Sequence, residues 1–447
     1  LIWKKQQTFV MESGTSNQSR IIARQGDETV VEKREQLRVD RARVLHRIQE
    51  LAKIGEAAGG GVTRKALTEE DRQGQELIQT WMREAGLMVR RDQAGNLIGR
   101  REGTNQSAPA VIIGSHIDTV PNGGNYDGTI GVIGGIEVAQ ILAEQEIVTT
   151  LPLEIIAFCD EEGTRFQGGL FGSRAMVGKV TRRELDAEDE AGISRKQALA
   201  AFGLEPELLA TAERTSAEIK VFLEMHIEQG PYLQAANVPV GIVTGIAGPC
   251  WMTIRLTGEA GHAGTVPMNL RRDPLMASAE IIYALEEIVT KEKDAPTVAT
   301  VGKVSVFPNG ANVIPAHVEF TLDLRDSDLE RRTNVLDEIR AKIAEVCRRR
   351  MLKYDMKENL AQEPVQCAGH VIESFARASM DSGIRAPQMI SGAGHDAMMM
   401  SYITDMGMLF VRCKDGISHN VKEYADIADI AEGTSILLNT ALHYLND

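Results

Sequence analysis

Hydrophobic positions in this chain follow two alternating rhythms. Short, nearly continuous apolar runs occur at "APAVIIGSH" (108–116), "LPLEIIAFCDEEG" (151–163) and "EIKVFLEMHIEQG" (218–230). Runs of this length that end in charged or imidazole side chains read as buried strands. Around them the period lengthens to that of a helix. Val44, Ile48 and Leu51 share one face of a helix starting near Val39, residues 69–86 form a second helix stopped by Gly86, and residues 128–146 form a third, rich in glycine and alanine. Strands alternating with helices predict an α/β domain with a mainly parallel sheet and helices on both faces. Sites in such sheets lie beyond the carboxyl ends of the strands.

The rhythm changes near residue 247. A strand at 250–258 is followed by a helix at 271–292, with Asp273 as N-cap and Pro274 in the first turn. One strand is expected over 296–307. Another, over 317–325, alternates strictly, with Val318, Phe320, Leu322 and Leu324 facing in. An amphipathic helix over 327–350 carries a capping box of Ser327 and Glu330, and a last strand begins at Met351. The order βαββαβ is a split βαβ, ferredoxin-like α+β module. The chain therefore divides into a poorly ordered N-terminal extension (1–35), a discontinuous α/β domain (36–246 and 365–447) and an inserted module (247–364).

Composition narrows the function classes. The chain has 447 residues and a net charge of −14, which argues against nucleic acid or an anionic membrane as partner. No apolar run approaches the ~20 residues of a membrane helix. The five cysteines are scattered without a CxxC pair, which disfavours a disulfide framework or a thiolate metal site and fits a reducing cytoplasm.

Candidate chemistry sits at the strand ends. His116 closes the first apolar run, Asp118 follows it, and Asp127 lies beyond a glycine-rich turn. Glu161 and Glu162 follow the second run, His226 ends the third, and His419 stands near the C-terminus in "GISHN". One histidine at a strand end is commonly a structural residue, and adjacent glutamates are commonly a solvated face. Several strand ends of one sheet, each delivering a hard or borderline ligand, make a metal site the better reading.

The segments "GSHIDTVPNGGNYDG", "FCDEEGTRFQGGLFGSRAM", "EMHIEQGP", "GHAGTVPMNLRRDP", "NVIPAHVEFTLDLRD", "SGAGHDAM" and "GISHN" resemble, in this order, the amidase/hydantoinase/carbamoylase group of the dinuclear-metal aminoacylase and carboxypeptidase superfamily. The resemblance runs from about residue 45 to the C-terminus. It implies two divalent metal ions per subunit, drawn from Zn, Mn, Co or Ni. His116 and His226 would each hold one metal. Glu162 and His419 would hold the other, Asp127 would bridge the two, and Asp118 would steady His116. Two cations roughly 3.5–4 Å apart can share a water and lower its pKa. Glu161 would then be the general base.

In the inserted module the resemblance makes His262 an oxyanion donor and gives Asn312 and Arg325 the substrate carboxylate. Gln229 would bond the amide or ureido group, and His395 would line the site. The module would act as a lid and dimerisation domain, giving a homodimer with composite active sites. The implied activity is hydrolysis of an N-carbamoyl-L-amino acid to the amino acid, ammonia and carbon dioxide. Allantoate or N-carbamoyl-β-alanine are alternative substrates. A dipeptidase-like member and a non-catalytic metal-binding protein are further readings.

Overall fold

The computed structural model describes residues 37–447. The expected N-terminal extension lies outside the described residues.

The strands of the first part are β1 (Met88–Arg91), β2 (Leu97–Arg101), β3 (Ala110–His116), β4 (Leu153–Phe158), β5 (Ile219–Ile227) and β6 (Val240–Ile246). The inserted part holds β7 (Gly248–Thr257), β8 (Gly261–His262), β9 (Val298–Thr300), β10 (Val304–Phe307), β11 (Val313–Ile314), β12 (His317–Asp326) and β13 (Lys353–Ala361). The chain then returns through β14 (Val365–Gln366), β15 (Gln388–Ser391) and β16 (Met406–Val411).

A nine-stranded sheet runs β1-β2-β4-β3-β5-β16-β6-β14, with β15 also against β6. Its centre, β4-β3-β5-β16, is parallel, while β1, β2, β6 and β14 pair antiparallel at the flanks. The sequence distinguishes the two kinds of strand. Every residue of β3 and β4 is buried, as a parallel strand covered on both faces requires, whereas the flanking β1 is partly exposed throughout.

Helices cover both faces. The helix Thr129–Glu144 is buried along nearly its whole length and packs on β3. The helix Ile427–Leu445 lies beside it. On the opposite face Ile112, Ile156 and Phe222 pack with Met176 and Met398, which come from the short helices Phe171–Met176 and Asp396–Met400.

The inserted segment forms a second, antiparallel sheet, β10-β12-β7-β13 with β9 on β12. Its core joins Ile254, Leu256, Phe320 and Leu322 to Ile281, Ile339 and Ile343 of the helices Pro274–Val289 and Leu329–Arg349. The inward set of β12 is the predicted one.

Two local expectations are corrected. Residues 296–307 form two strands, because the chain leaves the edge of β12 between Thr300 and Val304 and rejoins it. The cap of the helix Leu329–Arg349 is Asp328, whose carboxylate accepts the Arg331 amide at 2.7 Å; Ser327 lies one residue too early. The Asp273 cap forms as expected.

Candidate metal centre

Strand register brings the predicted ligands together. His116 ends β3 opposite Phe158, the last residue of β4. Ile113 of β3 lies opposite Leu223 of β5, so three residues on His116 stands beside His226, and their ring centroids are 5.8 Å apart. His226 in turn pairs with Phe410 of β16. Four adjacent parallel strands thus end level. The chain leaving β3 carries Asp127, that leaving β4 carries Glu161 and Glu162, and that leaving β16 carries His419.

The result is two groups of possible ligands that share one residue. His116, Asp127 and His226 offer atoms within 4.8 Å of one another, and so do Asp127, Glu162 and His419. One carboxylate oxygen of Asp127 lies 3.2 Å from His226 Nε2, and the other lies 3.0 Å from His419 Nε2. Glu162 is 3.7 Å from His419 Nε2. Glu161 stands apart from both groups, 3.6 Å from His116 Nε2. A third group, Glu224, His226 and His395, overlaps the first. There the Glu224 carboxylate already accepts from Ser115 Oγ at 2.8 Å and from the Ala397 amide at 2.9 Å.

The donor set fits cations. His116 Nδ1 is 3.0 Å from the Asp118 carbonyl, and His226 Nδ1 is 2.9 Å from the Ile227 carbonyl. A carbonyl only accepts, so each Nδ1 carries the hydrogen and each Nε2 keeps its lone pair. The Gly128 amide donating to His226 Nε2 at 3.2 Å agrees. A lone pair facing the Asp127 carboxylate at 3.2 Å is repulsive unless a positive charge lies between.

The carboxyl groups give the same answer. Burial and the neighbouring Glu162 push Glu161 well above its ordinary value. Burial and the Asp127 charge raise Glu162 to about 8. Burial lowers His116 to about 4, whereas the hydrogen bond to Asp127 lifts His419 to about 9. Burial opposes ionisation of Asp127, yet the hydrogen bond from His419 holds it below the carboxylate range. Crowded acids held protonated are what a bound cation relieves.

Residues that the sequence reading missed hold this geometry. The Glu423 carboxylate accepts the amides of Tyr126 and Asp127 at 2.9 and 3.1 Å and the Ser418 hydroxyl at 3.0 Å. Asp127 lies 3.1 Å from the same Ser418 Oγ, so the two carboxylates share its one hydrogen. Glu423 follows His419 by four residues, and only that proximity could have marked it. Gly128 has φ +64°, and a β-carbon there would run into the His116 imidazole. The Asp118 carboxylate accepts the amides of Glu161 and Glu162 at 3.2 and 3.1 Å, and lies 3.7 Å from His116 Nδ1. Asp118 therefore steadies His116 through its carbonyl and the glutamate pair through its carboxylate. Behind that pair, Asp160 forms a buried ion pair with Arg195 at 2.9 Å.

A cavity of about 270 Å³ opens over the centre, lined by these candidate ligands, Glu161, Gln229, Arg325, Trp251 and Leu360 among others. Gln229 donates to both Asp127 oxygens at 3.2 and 3.1 Å, while its own Oε1 is buried without a partner among the described residues. Arg325 bonds Asp323 through Nε and Nη2, the latter at 2.8 Å, and the Gly392 carbonyl through Nη1 at 2.7 Å. One N–H on each terminal nitrogen is left over by these bonds, and Arg325 lines the cavity.

Three predicted residues are not brought in. His395 is buried behind His226, ring to ring at 4.5 Å, and bonds Ser391 Oγ at 2.8 Å; Ala393 and Gly394 line the cavity in its place. His262 and Asn312 lie together at the β8–β11 pair, exposed and outside this cavity.

Residues 112–443 match peptidase family M20/M25/M40. The chain is 49% identical over 409 residues to an N-carbamoyl-L-amino-acid amidohydrolase of Pseudomonas sp. (strain NS671), covering 91% of this chain and 99% of that protein. It is 36% identical to an allantoate deiminase of Arabidopsis thaliana, covering 89% and 81%. Among solved structures, an amidase of the hydantoinase/carbamoylase family from Burkholderia multivorans superposes with a TM-score of 0.86 at 34% identity, covering 92% and 99%. The chain belongs to peptidase family M20/M25/M40 and, within it, to the amidases of the hydantoinase/carbamoylase group.

Proposed function

We propose that this enzyme is a two-metal amidohydrolase that hydrolyses N-carbamoyl-L-amino acids to the L-amino acid, ammonia and carbon dioxide. The observation that carries the reading is the sharing of Asp127 between two ligand groups, with Glu161 left free beside them. His116, Asp127 and His226 would hold one divalent ion, and Asp127, Glu162 and His419 the other. Bound ions of the Zn, Mn, Co or Ni type supply Lewis acidity toward the carbonyl and acidify a water.

The protein's own groups do the rest. Glu161, 3.6 Å from His116 Nε2 and outside both ligand groups, takes a proton from the attacking water and delivers it to the leaving nitrogen, once bound cations have lowered the carboxyl's pKa enough to ionise it. Arg325 presents its two remaining terminal N–H groups to the substrate carboxylate, and Asp323 fixes the plane of its guanidinium. Gln229 holds Asp127 and lines the cavity beside the ureido group that it would bond.

The inserted module acts as a lid and dimerisation domain in this reading. His262, as oxyanion donor, and Asn312 lie outside their own chain's cavity, which supports a homodimer whose partner completes the site. The five free, buried cysteines support a reducing compartment such as the cytoplasm.

The test is ammonia release from N-carbamoyl-L-amino acids, allantoate and N-carbamoyl-β-alanine, with Mn, Co, Ni or Zn added to the metal-free protein. N-carbamoyl-L-amino acids should be turned over best. Glu161→Gln should lower that rate about 10²- to 10⁴-fold with both metal equivalents retained. Preference for allantoate would move the assignment to the reaction named for the Arabidopsis relative. No turnover of any of the three would defeat it.

A further inference from the structure

We infer that the cavity selects substrates whose α-substituent is large and apolar, gripped between Trp251 and Leu360; this rests on the ureido-acid reading above and names its side-chain class. The inserted sheet has one face under its helices, where Cys250 and Leu324 are buried. The other face looks into the cavity at its upper end. There Pro249 lies opposite Arg325, and Trp251 lies opposite Asp323.

β13 completes that face by an irregularity. Its register on β7 is regular as far as Glu358 opposite Met252. Continued regularly, it would set Asn359 opposite Trp251 and Leu360 opposite Cys250, on the helix-covered face. Instead the register shifts, and Leu360 pairs with Trp251. Asn359 becomes the extra residue of a bulge, and its side-chain Nδ2 donates to Thr253 Oγ1 at 2.7 Å. A bulge re-aims the side chain that follows it, and here it turns a leucine toward the site.

Two large apolar side chains thus line a cavity whose opposite wall is ionic. Trp251 is 44% and Leu360 36% exposed, so neither has its protein cover. Arg325 and Pro249 stand one row along the sheet from Trp251, two residues or about 7 Å away. An amino acid with its carboxylate on Arg325 would lay its side chain against the Trp251–Leu360 wall. A glycine or β-alanine derivative has nothing to put there. A second ureido group would be desolvated against an indole and a leucine without compensating hydrogen bonds.

The experiment measures kcat/KM of the metal-loaded enzyme for N-carbamoyl-L-phenylalanine, -leucine and -glycine, in wild type, Trp251→Ala, Trp251→Phe and Leu360→Ala. Calorimetric binding of the same compounds to the Glu161→Gln protein gives a second readout. Wild type should favour phenylalanine and leucine over glycine by at least about tenfold, since one methylene in an apolar pocket discriminates by 10–200-fold. Trp251→Ala should reduce that ratio about tenfold, Leu360→Ala should reduce it less, and Trp251→Phe should largely preserve it. A wild-type ratio near one, or a ratio unmoved in both alanine variants, overturns the inference while leaving the proposed activity intact. Absence of turnover and binding for all three compounds defeats the proposed activity and the side-chain class with it.

Discussion

The two ends of Asp127 are built differently. On one side His116 and His226 are almost wholly buried at the level ends of adjacent parallel strands, with Nδ1 of each fixed on a backbone carbonyl. On the other side Glu162 sits in a turn, and His419 comes from a loop with φ +54° and a side chain 49% exposed. The first group is preformed by the sheet. The second depends on loop contacts and carries protons that a cation has to displace. One carboxylate therefore joins a rigid position to an adjustable one, and the two should respond differently to substitution and to pH.

The largest effect is expected where the two groups meet. Asp127→Ala should lose both metal equivalents and all measurable ammonia release, because each end loses its shared anion. Metal content after gel filtration, measured by mass spectrometry, checks it. His419→Ala and His116→Ala should each lose about one equivalent, with His419→Ala the milder, since water can enter an exposed position and replace an imidazole. Equal losses of two equivalents in both would break the distinction between the ends.

Glu423→Ala should weaken metal binding about 10- to 100-fold, as removing the group that orients a ligand typically does. Its effect passes through the amides of Tyr126 and Asp127, so a chelator competition titration should show both equivalents weakened.

The pH response sharpens the comparison further. Without metal, Glu162 titrates at about 8 and His419 at about 9. Below those values a cation at that end must release their protons, so its apparent affinity should rise with pH. The slope is about tenfold per unit for each proton displaced, and it flattens above about 9. His116, lowered to about 4, is already neutral at pH 6 and adds no slope at the other end. Isothermal titration between pH 6 and 9 should therefore show one strongly and one weakly pH-dependent equivalent.

Much of this was legible in the sequence, for a physical reason. A parallel strand buried on both faces is a continuous apolar run, so a polar residue at its end stands out, as His116 and His226 do. Asp127 was readable because the glycines before and after it announce a tight turn. Asp328 displaced Ser327 as a cap because helix starts are ambiguous by one residue when both neighbours can cap. The break at 301–303 was hidden because both halves follow the same edge of β12. Glu423 and Leu360 were invisible for a deeper reason. Glu423 acts through backbone amides almost 300 residues away, and Leu360 reaches the cavity only through a bulge that no local pattern announces.

In this reading two cations share Asp127. X-ray absorption on the zinc- or manganese-loaded protein tests it most directly. Two equivalents are expected, with metal–metal scattering at roughly 3.5–4 Å that is lost in Asp127→Ala. A single equivalent, or two equivalents with no metal neighbour at that distance, would contradict it.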